Sequence, residues 1–438
     1  MSYLFNFVYL LLLVVISPWL AYRSLRTRRY REGVGAKFFG RVPERRGQRK
    51  CIWIHAVSVG EVNLLKPLLV ALEQKYPEHD CVISTTTKTG YDLARQKYAP
   101  RPVFYCPLDF TWAVRTALRR VRPDLLILAE LELWPNLIAA AHQQGVKVAV
   151  VNGRLSENSF RGYRRLQWLF QNTLRQLDLI AVQNHEYGNR FLALGAPPEI
   201  VEVTGSIKFD GAVTDRSNPN TVQLRQLAGI GSTDVVFLAG STQAPEEQLA
   251  LEAYRELVAQ YPALRLILVP RHPERFDEVA KLLDDQRISW CRRSQLNESS
   301  NRDSLRILLV DTVGELGAWW GTAQIAFIGG SMGTRGGQNM IEPAAYGAAI
   351  AFGPNTRNFR DVVELMLSRD AAVVVGNGAE LTDWVHACVS NPEGMDAAGK
   401  RAQRLVFEQL GATKRTLDLL SPLLEPQPSI TPHDKRAA

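Results

Sequence analysis

The chain alternates short, wholly apolar runs with longer segments of helical period, and it does so in two series. Residues 51–57 (CIWIHAV), 81–87 (CVISTTT), 125–128, 146–151, 179–182 and 201–203 read as strands, most of them buried on both faces, and each stops at a polar cluster. Between the first two, Leu64, Leu65, Leu68, Leu69 and Leu72 keep a helical spacing. A second series follows at 235–239, 264–269, 289–291, 308–310, 325–328, 349–352 and 373–375. This alternation predicts an α/β protein with two Rossmann-like, doubly wound parallel sheets, the polar loops of each converging on one rim. Residues 211–232 (GAVTDRSNPNTVQLRQLAGIGS) have the composition of a linker ending in a short helix.

The start of the chain has a different pattern. Residues 3–22 are about 20 mostly apolar residues, long enough to cross a bilayer core of roughly 30 Å, although Asn6 and Pro18 interrupt the run. The 438 residues carry a net charge of +8, and its location matters more than its size. From Arg23 to Lys50 there are eleven Lys/Arg and two Glu, a balance of +9, and the rest of the chain is near neutral. Basic residues that follow the apolar run, rather than precede it, predict an uncleaved anchor with its C-terminal side in the cytoplasm. Arg23, Arg26, Arg28, Arg29 and Arg31 would then meet anionic lipid of an inner membrane. A charge excess confined to this block points away from nucleic acid. The expected division is an anchor at 1–22, a basic segment at 23–50, a first domain at 51–210, a linker at 211–232, a second domain at 233–421 and a disordered tail at 422–438.

Candidate chemistry falls at the strand ends. Residues 323–343 (AQIAFIGGSMGTRGGQNMIEP) run from a strand through five glycines toward a helix expected after Gly337, with Asn339 and Glu342 at its entrance. A glycine-rich turn at a helix start aims several N–H groups at one point, which suits a phosphate. Neither the P-loop nor the dinucleotide spacing is present, and a tight turn packed on the sheet is the alternative. Glu61 opens the helix after the first strand, where it either meets a ligand or merely favours the helix dipole. A first-turn position predicts a carboxylate that stays ionised, with a low pKa. Glu130 and Glu132 would share one face of an extended segment, for acid/base work or for pairing with Arg154 or another basic loop residue. Lys208 is a lone lysine in a loop. Arg271 ends a strand as a candidate phosphate ligand, and the adjacent His272 has no second metal ligand at suitable spacing. Five scattered cysteines without C-x-x-C spacing suggest neither a disulfide framework nor zinc. No Asp-x-Asp occurs to hold a divalent ion, so no metal and no cofactor are expected.

Two such sheets with a phosphate cradle in the second describe a GT-B glycosyltransferase, whose domains face a cleft. The segments HAVSVGE (55–61), ELELWPN (130–136), NGRLSENS (152–159), TGSIKFD (204–210), LVPRHPERF (268–276), DTVGEL (311–316) and GGSMGTRGGQNMIEP (329–343) resemble the 3-deoxy-D-manno-octulosonic acid (Kdo) transferases of glycosyltransferase family 30. The resemblance implies an inverting transfer of Kdo from CMP-Kdo to the glucosamine 6-hydroxyl of a lipid A precursor, lipid IVA, at the cytoplasmic face of the inner membrane. It implies Glu61 as general base, and Glu130 and Lys208 as transition-state stabilisers. CMP contacts would come from Pro270, Arg271, Val313, Gly314, Glu315, Asn339, Met340, Ile341 and Glu342. Gln338 stands where many members of that family have His, so an acid at that position is not implied here. A GT-B enzyme using a UDP-sugar, and a membrane-anchored binding protein with a degenerate site, are the alternative readings.

Overall fold

The computed structural model describes residues 5–7, 9–11, 14–18, 32–286, 288–296 and 305–425. The chain forms two units, one built from the residues up to Asp210 together with those from Leu410 on, the other from Gly211–Gln409.

The first unit holds seven strands: β1 (Cys51–His55), β2 (Asp80–Thr85), β3 (Val103–Tyr105), β4 (Leu125–Ala129), β5 (Lys147–Gly153), β6 (Leu179–Val182) and β7 (Val201–Val203). All pair in parallel, in the order β3-β2-β1-β4-β5-β6-β7. The central strands β1 and β4 are buried along their whole length. Alternation splits their side chains between two cores. Trp53, Leu126 and Leu128 face one, and Ile52, Ile54, Leu125 and Ile127 face the other, against Leu65, Leu68, Leu69 and Leu72 of the helix Val59–Lys75.

The second unit repeats the plan with β8 (Val235–Thr242), β9 (Leu264–Pro270), β10 (Cys291–Arg292), β11 (Ile307–Leu309), β12 (Ile325–Ile328), β13 (Ala349–Phe352) and β14 (Val373–Val374). These are again all parallel, in the order β10-β11-β9-β8-β12-β13-β14. In each sheet the chain first fills one side of its first strand, then returns to lay a later strand on that strand's other side. The pairs β1/β4 and β8/β12 are therefore topological switch points, where the loops on the carboxyl edge diverge and leave a crevice.

The segment 211–232 holds the short helix expected of it and is fastened to the second unit. It contains the helix Pro219–Leu227, capped by Asn218, and the Arg216 guanidinium donates to the carbonyls of Tyr346 (2.8 Å), Gly321 (2.9 Å) and Ala323 (2.7 Å) of the second unit. The last helix, Ala412–Leu424, runs through Pro422, where a disordered tail was expected to begin. It also belongs to the first unit, not the second: Leu417, Leu420 and Leu424 join the core around Ile52 and Ile54. Asp210 caps this helix by accepting the N–H groups of Gly411 (2.7 Å) and Thr413. The tail from 426 on lies outside the described residues.

The anchor expected at the start of the chain is not confirmed. Among the described residues no helix is long and apolar enough to cross a membrane. The described residues between 5 and 18 are helical, and one side of them is fastened to the first unit. Asn6 donates to Thr111 Oγ1 (2.8 Å) and accepts from Thr111 N (3.1 Å) and Asn136 Nδ2 (3.3 Å), while the Tyr9 hydroxyl donates to Asp109 (3.1 Å). Phe7, Leu11, Val14 and Val15 remain exposed. The arginines between 23 and 31 lie outside the described residues.

Leu420 is wholly buried, so Leu420→Ala should destabilise the first unit by about 2–5 kcal/mol through lost burial and a cavity. Urea unfolding followed by tryptophan fluorescence checks this. An unchanged midpoint would mean that the C-terminal helix is not part of that core.

Candidate functional site

At the switch point of the first unit, β1 ends and the chain turns through Val57 and Ser58 into the helix Val59–Lys75. Ser58 is the N-cap, and Glu61 reaches back over it. One Glu61 oxygen accepts the Val57 N–H and the other the Ser58 hydroxyl, both at 2.8 Å. The capping role is thus real, but it uses only part of the carboxylate's accepting capacity. Burial raises the pKa of Glu61 above the ordinary range, and the charge of Glu130 adds to this. The low pKa expected from the helix dipole is therefore not what the fold produces, because desolvation outweighs the dipole and the two hydrogen bonds.

Glu130 arrives from β4, the strand paired with β1. It does not continue an extended segment, as expected, because its φ of 57° turns the chain sharply at the strand end. Its carboxylate pairs with Lys208 Nζ at 3.4 Å. Lys208 sits in the 3-10 turn Ile207–Phe209, held by Asn152, whose Oδ1 accepts the Ile207 N–H at 3.0 Å. Asn152 is itself buried and left-handed at the end of β5. Glu132 accepts the Trp134 indole N–H at 2.9 Å. Burial, then the charges of Glu61 and Glu130, push its carboxyl up to about 7. Three carboxylates and one ammonium thus gather at one strand-end crevice, with the proton affinity of two of the acids raised.

The second unit presents different chemistry at its own switch point. β9 ends at Pro270, and Arg271 follows; its backbone N–H donates to Thr242 O at 3.0 Å, and the residue is exposed. Asn339 accepts the Ile341 N–H at 3.0 Å and donates to Glu342 at 3.0 Å, fixing the start of the helix Ile341–Ala345. Burial raises the pKa of Glu342, and the charge of Arg271 opposes that shift. The side chains of Met340 and Ile341 are buried in the core, and the Ile341 N–H is taken by Asn339. Val313 is 79 % exposed and Gly314 is left-handed. Glu315 is engaged by a two-pronged Arg293 (2.9 and 2.8 Å) and by Thr312 Oγ1 (2.7 Å).

The glycine-rich turn departs from expectation in one respect. Its N–H groups do converge on an anion, but that anion is the carboxylate of Glu246, which sequence reasoning passed over. Glu246 lies 84 residues before Gly330 and carries no local motif, so only the pairing of β8 with β12 reveals the contact. Gly330 needs its freedom for a φ of 67°. Gly329 is required by packing, since a Cβ there would lie 2.5 Å from Thr242 Cα. Asn152 was missed as well; the only signal was its place in an Asn-Gly turn after a strand.

A family model described as 3-deoxy-D-manno-octulosonic-acid transferase (kdotransferase) matches residues 33–211. The chain is 34% identical over 436 residues to a 3-deoxy-D-manno-octulosonic acid transferase of Haemophilus influenzae, covering 96% of this chain and 99% of that one. It is 35% identical over 382 residues to one from Bordetella pertussis, covering 84% and 86%. Among solved structures, a UDP-GlcNAc 2-epimerase from Neisseria meningitidis bound to UDP-GlcNAc resembles it with a TM-score of 0.54 at 14% identity, over 85% of this chain and 100% of that one. That likeness is one of fold, a GT-B-like pair of parallel-sheet domains.

Glu132 titrates at about 7 in the fold against an ordinary 4.5, so the folded state retains a proton that the unfolded chain has released. The stability this contributes is complete below the ordinary value and lost as pH rises through 7. Glu132→Gln keeps an acceptor for Trp134 but cannot ionise. Its melting temperature should exceed that of the unaltered chain by a few degrees at about pH 8, and the gap should close at about pH 5. Thermal melts at the two pH values check the sign.

Proposed function

The chain belongs to the family of Kdo transferases, glycosyltransferases that transfer Kdo in lipopolysaccharide core biosynthesis, and from that premise we propose how its residues divide the work. The donor is CMP-Kdo, held by the second unit, and the acceptor is the glucosamine 6-hydroxyl of lipid IVA. Glu61 is the general base. As the hydroxyl oxygen forms its bond to the anomeric carbon, its proton passes to the Glu61 carboxylate. The bond from the anomeric carbon to the phosphate oxygen breaks, and CMP leaves as a monoester that keeps the electron pair. Attack opposite the leaving group inverts the centre.

The observation that carries this reading is the state of Glu61. A base works best when its pKa approaches the operating pH. Burial and Glu130 raise that of Glu61, while its two hydrogen bonds fix its direction. Lys208, paired with Glu130, supplies positive charge for an anionic transition state. In the second unit the exposed Arg271 is suited to the departing phosphate, and Asn339, Glu342 and the Val313–Glu315 turn to the remainder of CMP.

The acceptor carries acyl chains, which supports a place at the cytoplasmic face of the inner membrane. The start of the chain would then bury its exposed Phe7, Leu11, Val14 and Val15 in the bilayer. The attachment of Asn6 and Tyr9 to Asp109, Thr111 and Asn136 favours a segment that lies along the interface over one that spans.

Glu61→Gln should fold, bind CMP with unchanged affinity and lose at least about 10³-fold in transfer, as expected when a general base is removed. The assay incubates CMP-Kdo with a tetraacylated lipid A precursor and counts added sugars by mass spectrometry. Full activity of that variant would remove Glu61 from the role. Protection of the protein by UDP but not CMP would overturn the donor assignment.

A further inference from the structure

The reaction as described makes no use of Glu246, and yet this carboxylate accepts four main-chain N–H groups. It is 1 % exposed and opens the helix Glu246–Leu257 directly after β8. One oxygen accepts the N–H groups of Ser331 (2.8 Å) and Met332 (2.9 Å), and the other those of Gly330 (2.7 Å) and Gln243 (2.9 Å). Four N–H groups fill the lone-pair positions of a carboxylate. Three of them belong to the glycine-rich turn, where the strand–turn–helix pattern calls for a bound phosphate. The neighbouring acid, Glu247, is also 1 % exposed and accepts from Arg275 at 2.5 Å, holding the turn Pro273–Arg275. One helix start thus grips two loops, the one that leads to Asn339 and Glu342 and the one that begins at Arg271.

We propose that Glu246 is a positioning residue for the donor site: a built-in carboxylate that takes the place of a phosphate on the glycine-rich turn and sets that turn rigidly before any nucleotide arrives. Glu247 does the same, more weakly, for the Arg271 loop through Arg275. This rests on the reading that the second unit holds CMP. A consequence follows for recognition. Because the Gly330–Met332 amides are taken, the donor phosphate must be met by groups still available, of which the exposed Arg271 guanidinium is the strongest. Four N–H donors face Glu246, so its place is filled only by a group that accepts and does not donate. A glutamine in its place would turn two N–H bonds of its own toward N–H donors and leave some of them unpaired.

The experiment measures amide hydrogen exchange across residues 329–333 in the full, ligand-free chain, beside CMP affinity by calorimetry. In Glu246→Gln the Gly330–Met332 amides should exchange at least about tenfold faster and CMP should bind about tenfold more weakly, the factor expected for the loss of roughly one charged hydrogen bond. Transfer by that variant should suffer mainly in the donor KM, with kcat near that of the unaltered enzyme. A purely structural role would lower the active fraction, and so kcat, at unchanged KM. Glu247→Gln should show a smaller loss of CMP affinity. Unchanged exchange at 329–333, or faster exchange with unchanged CMP affinity, overturns the proposal. If the unaltered chain does not bind CMP, the donor assignment fails, and the exchange result still decides whether Glu246 holds the turn. Should Glu246→Gln not fold, Glu246→Asp, which keeps the charge and shortens the reach, is read in the same way.

Discussion

Everything at the two sites depends on the parallel pairing of the strands. A parallel sheet delivers every carboxyl end to the same edge, and its buried strands must be covered by helices on both faces. The crevice then opens where successive connections run to opposite sides, at β1/β4 in the first unit and at β8/β12 in the second. Glu61 and Glu130 come from the first such pair, Glu246 and Gly330 from the second. The cover matters as much as the sheet. One core face of the first unit is completed only when the chain returns at Ala412–Leu424, and Asp210 fixes that return by capping the helix. The motif containing Asp210 therefore serves both ends: Lys208 pairs with Glu130, and two residues later the chain holds its own covering helix.

Glu61 and Glu246 occupy equivalent places, each in the first turn of the helix that follows the first strand of its sheet. They differ in how their lone pairs are used. Glu246 accepts four N–H groups and has no capacity left. Glu61 accepts one N–H and one hydroxyl, both from its own turn, and keeps the rest. Burial raises the proton affinity of both; at Glu246 four N–H donors oppose the rise, whereas at Glu61 the charge of Glu130 adds to it. The same residue type in the same topological position is thus saturated with donors in one unit and left with free accepting capacity in the other.

Much of this was legible in the sequence, because a buried parallel strand is written as an apolar run and its loop as a polar cluster. Thirteen of the strands announced themselves in this way. Val103–Tyr105 did not, since three residues beside Pro102 carry too little pattern. The Leu417, Leu420 and Leu424 spacing marks a buried helix, but nothing local says which sheet it covers, and Pro422 looked like a stop. Glu61 was found by position, whereas its raised proton affinity was not, because desolvation depends on neighbours brought from β4. The glycines showed that an anion would be met, and Glu246, far away in the chain, was that anion. Met340 and Ile341 matched a motif for nucleotide contact, but their side chains are committed to the core, which a motif match does not disclose.

The backbone itself records where the constraints accumulate. Glu130, Asn152 and Ser241 are non-glycine residues with φ of 57°, 53° and 55°, and each stands at the carboxyl end of a strand. Such conformations cost of order 1–3 kcal/mol and persist only where surrounding contacts over-determine them. The contacts are present in each case. Glu130 donates its N–H to Val151 O at 3.0 Å and pairs with Lys208; Asn152 receives Ile207 N–H and offers its carbonyl to Gln183 Nε2 at 3.0 Å. Ser241 lies against Gly329, where a Cβ would come within 2.6 Å of its carbonyl oxygen. A relaxed, extended Glu130 would carry its carboxylate along the strand, away from Lys208, and a bulkier residue at 329 would force β12 from β8 and Gly330 from Glu246. At these three positions the left-handed residue bends a strand end, so that a sheet built for burial presents polar groups at its rim.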